Sequence, residues 1–214
     1  MSTSNITIAG HAINRPVEIL TDYSQRFAGT LTKYDFRDKG DPNTLTAEEI
    51  WATRIIHSRI TRSEQSELEK RSRSWRTDWA AVAPTARLED ADPAINGGTY
   101  DSMQKLYSHF TDVRGVSWAK ASKILHFKRP YLFPILDSRL MNVYRRAAMT
   151  AAEEYKHRGY RRMYWAAIRN DLIANKDSLT QLRQALANQD ADHHKLSDLS
   201  DLRILDILSW SHAS

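Results

Sequence analysis

The chain contains no cysteine. Disulfides, thiol nucleophiles and thiolate metal sites are therefore excluded. Glycine is scarce, with seven residues in 214, and proline is limited to six. No run of about 18 apolar residues occurs, so no membrane span is predicted. Segments that alternate apolar and polar residues are almost lacking, and NITIAG at residues 5–10 is the one tempting strand. The opening MSTSNITIAGHAINRP has no basic region followed by an apolar one and does not read as a secretion signal. A cytoplasmic monomer is expected, nucleoid-associated if the source is bacterial. The sequence holds no Walker loop, dinucleotide fingerprint or H-E-x-x-H pattern, and no cofactor is expected.

What is abundant is helix-forming: Ala, Leu, Arg, Lys, Gln and Glu. The predicted class is all-α, a single helical domain over 1–214, with the Pro-, Gly- and Asp-rich stretch 84–98 as a possible divide between two lobes. Arg15 to Phe27 reads as a first helix, with Pro16 tolerated in its first turn. Thr46 followed by Glu49 is a capping box, and Ile50, Trp51, Ile55 and Ile56 follow at helical spacing. TRSEQSELEKRSRSW reads as an exposed helix or connector. TYDSMQKLYSHFTDV places Met103, Leu106, Tyr107 and Phe110 on one face. Residues 117–127 and 138–149 give two more helices, and a long pair follows, broken near Asp177. LSDLRILDILSWS closes the chain as an amphipathic helix carrying Leu202, Leu205, Ile207, Leu208 and Trp210.

The formal charge is +5, and it is unevenly spread: Thr111 to Thr150 holds eight Lys or Arg against two Asp. Within that span lies RGVSWAKASKILHFKRPYLFPILDSR, residues 114–139. Gly115 permits the positive φ of a tight turn between two helices. The second helix starts near Ser117 with unpaired N–H groups that suit an anion, and Ser117 and Lys120 can add donors. The same residues also suit a plain helix–helix turn with Ser117 as N-cap. The one acid of the stretch is Asp137, which reads equally as an N-cap for the next helix or as a carboxylate paired with Arg139 or Lys123.

Gly115-Val116-Ser117-Trp118-Ala119-Lys120-Ala121, then RPYLFPILDS, resembles the helix-hairpin-helix DNA glycosylase superfamily. That family shows a G-x-G-x-x-[TS]-A hairpin, a helix, a proline turn and an aspartate at the next helix start. The resemblance spans about 30 residues, with the hairpin over 106–127 and the aspartate turn and helix over 134–149. Ser117 stands at the second hairpin glycine and Lys120 at the Thr or Ser position. The nucleophilic lysine of bifunctional members is replaced by Ala119, so the resemblance implies a monofunctional enzyme. The iron–sulfur cluster of some members is excluded by the missing cysteines. It further implies Asp137 as the catalytic carboxylate, stabilising the positive charge that builds on a sugar as its base departs. The partner would be double-stranded DNA with a flipped base. Phosphate contacts are expected from Gly115, Ser117, Lys120, Lys123, Lys128, Arg129 and Arg139. Trp118, Tyr131 and Trp51 are candidates for the base pocket by type and location, and each suits a core position as well.

The leading expectation is hydrolysis of the N-glycosidic bond of a damaged or modified base, with a mark on foreign (phage) DNA as suitable a target as a host lesion. A helix-hairpin-helix module that binds DNA without catalysis shares the hairpin and the charge, and differs in tolerating loss of the Asp137 carboxylate. A helical scaffold with no nucleic-acid role is the third reading. Two features are weaker. His193 and His194 with Asp190 and Asp192 carry metal-binding residue types, and they suit a polar loop equally. YRRAAM and RGYRRMYW mix arginine with aromatics in a way that fits phosphate tracking or snorkelling surface helices.

Overall fold

The computed structural model describes residues 6–74, 77–188 and 194–212. Among them are eleven α-helices and one two-stranded sheet, so the chain is all-α. Its contacts divide it into two units: Met1–Ala28 with Asp137–Ser214, and Gly29–Leu136. The 84–98 loop lies inside the second of these.

In the first unit, β1 (Ile6–Ile8) pairs antiparallel with β2 (His11–Ile13) in the register Ile6 to Ile13. The turn residues Ala9 and Gly10 have φ of 50° and 86°. Two successive positive φ values match the twist of a tight hairpin. The rest of the unit is helical: α1 (Pro16–Arg26), α7 (Ser138–Val143) and α8 (Arg145–Glu154) come first in chain order. α9 (Tyr164–Ala174), α10 (Lys176–Ala187) and α11 (Asp201–His212) complete the unit. The helix expected over 138–149 is two helices, parted at Tyr144, whose φ of −82° and ψ of 0° fall in the bridge region.

The break between α9 and α10 falls at Asn175, and its side chain has a second task. The Asn175 Oδ1 accepts from the Thr7 amide at 2.8 Å, and Nδ2 donates to the Thr7 carbonyl at 2.8 Å. One amide side chain thus stands in for a neighbouring strand and closes the open edge of β1. Asp171, one turn earlier, accepts from the Ala9 amide at 2.7 Å. Closing helix α11 departs from the amphipathic expectation. It is buried from Leu202 to Ser209, against α1, α7 and α9. Its polar residues are internally paired: Arg203 bonds Asp206 three positions on and the Tyr23 hydroxyl at 2.9 Å.

One turn, α2 (Ala28–Thr30), carries the chain across the boundary into the second unit and runs into a π turn at Leu31–Asp35. α3 (Ala47–Ala52) passes into a 3-10 turn, Thr53–Ile56, and α4 (Arg62–Ser72) follows. α5 (Thr99–Thr111) and α6 (Trp118–Lys128) form a helical hairpin. Tyr34, Ala52, Phe127 and Ile135 make an apolar cluster, with Ile55 and Ile56 against it. Both α3 and α4 start with a capping box, Thr46 with Glu49 as expected and Thr61 with Glu64 in addition.

Candidate functional site

The turn between α5 and α6 is set by four residues. The Val116 amide donates to the Val113 carbonyl at 2.9 Å. Gly115, at the third position, has φ of 87°. This is the arrangement of a type II turn, in which glycine is the residue suited to the third place. Val113 and Val116 are buried and anchor the turn, while Arg114 and Gly115 are exposed. Ser117 caps α6, its Oγ accepting from the Lys120 amide at 3.4 Å. Among the described residues no acceptor pairs with the amides of Trp118 and Ala119.

The basic residues that follow do not form the phosphate-binding row expected of them. Lys120 Nζ is bound to both oxygens of Glu64, at 2.7 and 2.8 Å, and to the Gly115 carbonyl at 3.0 Å. Burial pushes the Glu64 carboxyl up, but hydrogen bonds from Lys120 and the Thr61 amide, with the Lys120 charge, outweigh it. The carboxyl is held below the ordinary carboxylate range. Lys123 is buried and donates to the His57 carbonyl at 3.3 Å. Lys128 has no exposed side-chain surface; its Nζ bonds Glu49 at 2.5 Å and the carbonyls of Lys39 and Asp41. Burial pulls its ammonium below the usual lysine range, against the opposing hydrogen bond and charge of Glu49.

Arg129 is fully buried. Its guanidinium donates to the carbonyls of Val82 and Pro42, both at 2.7 Å, and to Asn43 Oδ1 at 3.1 Å. Burial pushes it down to about 10, which still leaves it charged at neutral pH. Lys123, Lys128 and Arg129 therefore do not line a DNA path: they are interior tie-points, and Lys120 is neutralised by a carboxylate. The physical reason is the same for all four. Each long cation reaches a carboxylate or a carbonyl-rich loop that tertiary folding delivers from residues 39–82.

The two lysine clamps share one design. Glu49 and Glu64 are each the third-position glutamate of a capping box, and each takes a lysine from α6, eight residues apart. Each carboxylate is also approached by a positive-φ glycine: a Cβ on Gly40 would lie 2.8 Å from Glu49 Oε1, and one on Gly115 would lie 2.4 Å from Glu64 Oε1. Helix starts α3 and α4 are thereby fastened to the hairpin helix. The sequence signal for this was present as T-x-x-E at 46–49 and 61–64.

Asp137 is the first residue of its unit's second segment and the N-cap of α7. Its Oδ1 accepts from the Leu140 amide at 2.9 Å. The residue is half-buried, and among the described residues it forms no ion pair with Arg139, Lys123 or any other cation. Arg139 is exposed, with its guanidinium 4.5 Å above the Trp210 ring. The three aromatic candidates sit in different settings. Trp118 is 41% exposed, and its carbonyl accepts from the Tyr107 hydroxyl at 2.8 Å. Tyr131 is 38% exposed with Arg87 over its ring, and Trp51 is half-buried beneath Arg54 at 4.4 Å. Among the described residues none of these three rings is paired with another of them; Tyr131 and Trp51 are instead covered by arginines.

In YRRAAM and RGYRRMYW, Arg145, Arg146, Arg161 and Arg162 are all exposed. Among the described residues no three metal-ligating side chains cluster. Asp190, Asp192 and His193 lie outside the described residues, as does the side chain of His194. No helix among the described residues is long and apolar enough to cross a membrane.

Residues 16–213 match the family described as a family of unknown function, DUF6308, and the chain belongs to it. Neither the curated proteins nor the solved structures give a match.

Proposed function

We propose that this DUF6308 member binds DNA and hydrolyses the N-glycosidic bond of a damaged or modified base, with Asp137 as the catalytic carboxylate. The observation that carries the reading is the division of labour on that side chain. One oxygen caps α7 and so fixes the orientation of the group. The other has no partner among the described residues and is free to face a cationic sugar. A cap and a catalyst are thus compatible in one residue, 22 positions beyond the hairpin glycine.

In this reading the C1′–N bond breaks with its electron pair going to the base, and the deoxyribose becomes oxocarbenium-like. The Asp137 carboxylate stabilises that charge. Water adds at C1′ and gives its proton to the same carboxylate, which releases it again as the departing base anion takes up a proton from solvent. Ala119, at the position of the nucleophilic lysine of bifunctional helix-hairpin-helix glycosylases, makes water the nucleophile. The backbone amides at the start of α6 take the phosphate, with Arg114 as an exposed cation in the turn that precedes it. Lys120, Lys123, Lys128 and Arg129 hold the scaffold instead. Trp118, exposed at the first position of α6, is the aromatic best suited to contact an unstacked base.

The test is Asp137→Asn, because asparagine is as good an N-cap as aspartate and leaves the fold intact. Base release from a panel of modified duplexes should fall by about 100-fold or more, by analogy with loss of other charge-stabilising groups, at unchanged urea midpoint. If the wild-type protein binds DNA, releases no base from any duplex in the panel, and the variant binds as tightly or more so, the protein is a non-catalytic binder.

A further inference from the structure

Residues 50–63, IWATRIIHSRITRS, contain Arg54, His57, Arg59 and Arg62 and no acidic residue. The segment leads from the 3-10 turn after α3 to the start of α4. Its burial alternates at the centre: Ser58 and Ile60 are 3% and 2% exposed, while His57 and Arg59 between and beside them are exposed, as are Arg54 and Arg62. Ser58 is anchored by the Thr53 hydroxyl at 2.8 Å. Among the described residues none of the four basic side chains has an ion-pair partner, in contrast to Lys120 and Lys128 of α6.

The backbone of this arch breaks a local rule. His57 and Arg59 have φ of 60° and 52°. Left-handed conformations favour glycine or asparagine, and a bulky L residue there is held at a cost. Strained residues persist where a function selects the side chain despite the strain. The arch is also tied to the hairpin helix at both ends of its strained part. Lys123 donates to the His57 carbonyl, and Glu64, just past the arch, holds Lys120 and contacts Gly115. An uncompensated row of cations is thus fixed in place next to the hairpin turn.

We infer that residues 54–62 form a second phosphate-contacting element, which grips the DNA backbone beside the hairpin through Arg54, Arg59 and Arg62. The inference rests on the DNA-binding part of the proposed function. It assigns the electrostatic role to cations that tertiary structure leaves without a carboxylate among the described residues, and it explains why basic residues occupy positions where glycine would relieve strain.

The experiment measures affinity for a labelled duplex by fluorescence anisotropy across roughly 50–200 mM salt, beside urea midpoints for each variant. Arg59→Gly and Arg59→Asn should hold or raise the midpoint, since both residues accept positive φ. The same variants should bind several-fold more weakly, with the salt slope reduced by about 0.9, the loss of one phosphate contact. Arg54→Ala with Arg62→Ala should reduce it by about twice that. Lys176→Ala, an exposed lysine of α10, is the charge-matched control and should leave the slope in place. A slope unmoved by Arg59→Gly, or moved equally by Lys176→Ala, overturns the inference while DNA binding by the wild type stands. Absence of duplex binding by the wild type overturns the proposed function and the inference together.

Discussion

Replacing Gly115 by alanine would test the hairpin turn and its clamp at once. Two separate penalties meet at this position. A φ of 87° costs an L residue about 1–2 kcal/mol. The new methyl would also lie 2.4 Å from Glu64 Oε1, a distance that no relaxed structure tolerates, and a tight 3.3 Å from its Cδ. A free glutamate would swing aside, but this one is held. Its oxygens bind Lys120 Nζ at 2.7 and 2.8 Å, Oε2 also accepts from the Thr61 amide at 2.8 Å, and the side chain is 9% exposed. Displacing it gives up a capping interaction of about 1 kcal/mol and loosens a largely buried pair. The expected loss for Gly115→Ala is therefore about 3 kcal/mol. In a Glu64→Ala background only the backbone penalty remains, and the same substitution should cost about 1–2 kcal/mol. The difference is a coupling energy, read from a double-mutant cycle of urea titrations followed by far-ultraviolet circular dichroism. A Gly115→Ala cost below about 0.5 kcal/mol would refute the turn assignment. Equal costs in the two backgrounds would refute the clash with Glu64.

Two further outcomes follow from the interior cations. Arg129→Lys and Arg129→Met should each lower stability by about 3 kcal/mol or more, since several loop carbonyls lose their donors and lysine cannot reproduce the five-donor fork; urea midpoints check both. Glu64, with its folded-state pKa below the unfolded value, contributes stability above the ordinary carboxylate range that is lost as pH falls through its lower folded value. Glu64→Gln should flatten the acid limb of a stability–pH curve, and an unchanged limb would show that the Lys120 pair does not hold the proton off.

The Thr46 capping box, the faces of α5 and the glycine turn at Gly115 were legible in sequence because each is a local device. A cap needs a side chain and an amide three residues apart; a positive φ needs a residue without Cβ. The second strand, His11–Ile13, was not legible because HAI does not alternate apolar and polar residues as ITI in β1 does. The fate of the basic run 120–129 was not legible. A lysine on a helix reads the same whether it meets phosphate, water or a buried carboxylate.

What the sequence by itself determined is therefore the helical class, the hairpin turn with its obligate glycine, and Asp137 as a helix cap. All rest on interactions within a few residues. Tertiary structure alone decided which cations are available. It sent Lys120 to Glu64, Lys128 to Glu49 and Arg129 to the loops at 42 and 82, because desolvating a cation is tolerable only where carboxylates and carbonyls from distant segments surround it. It left Arg54, Arg59 and Arg62 outside, on an arch whose strain no local pattern announces.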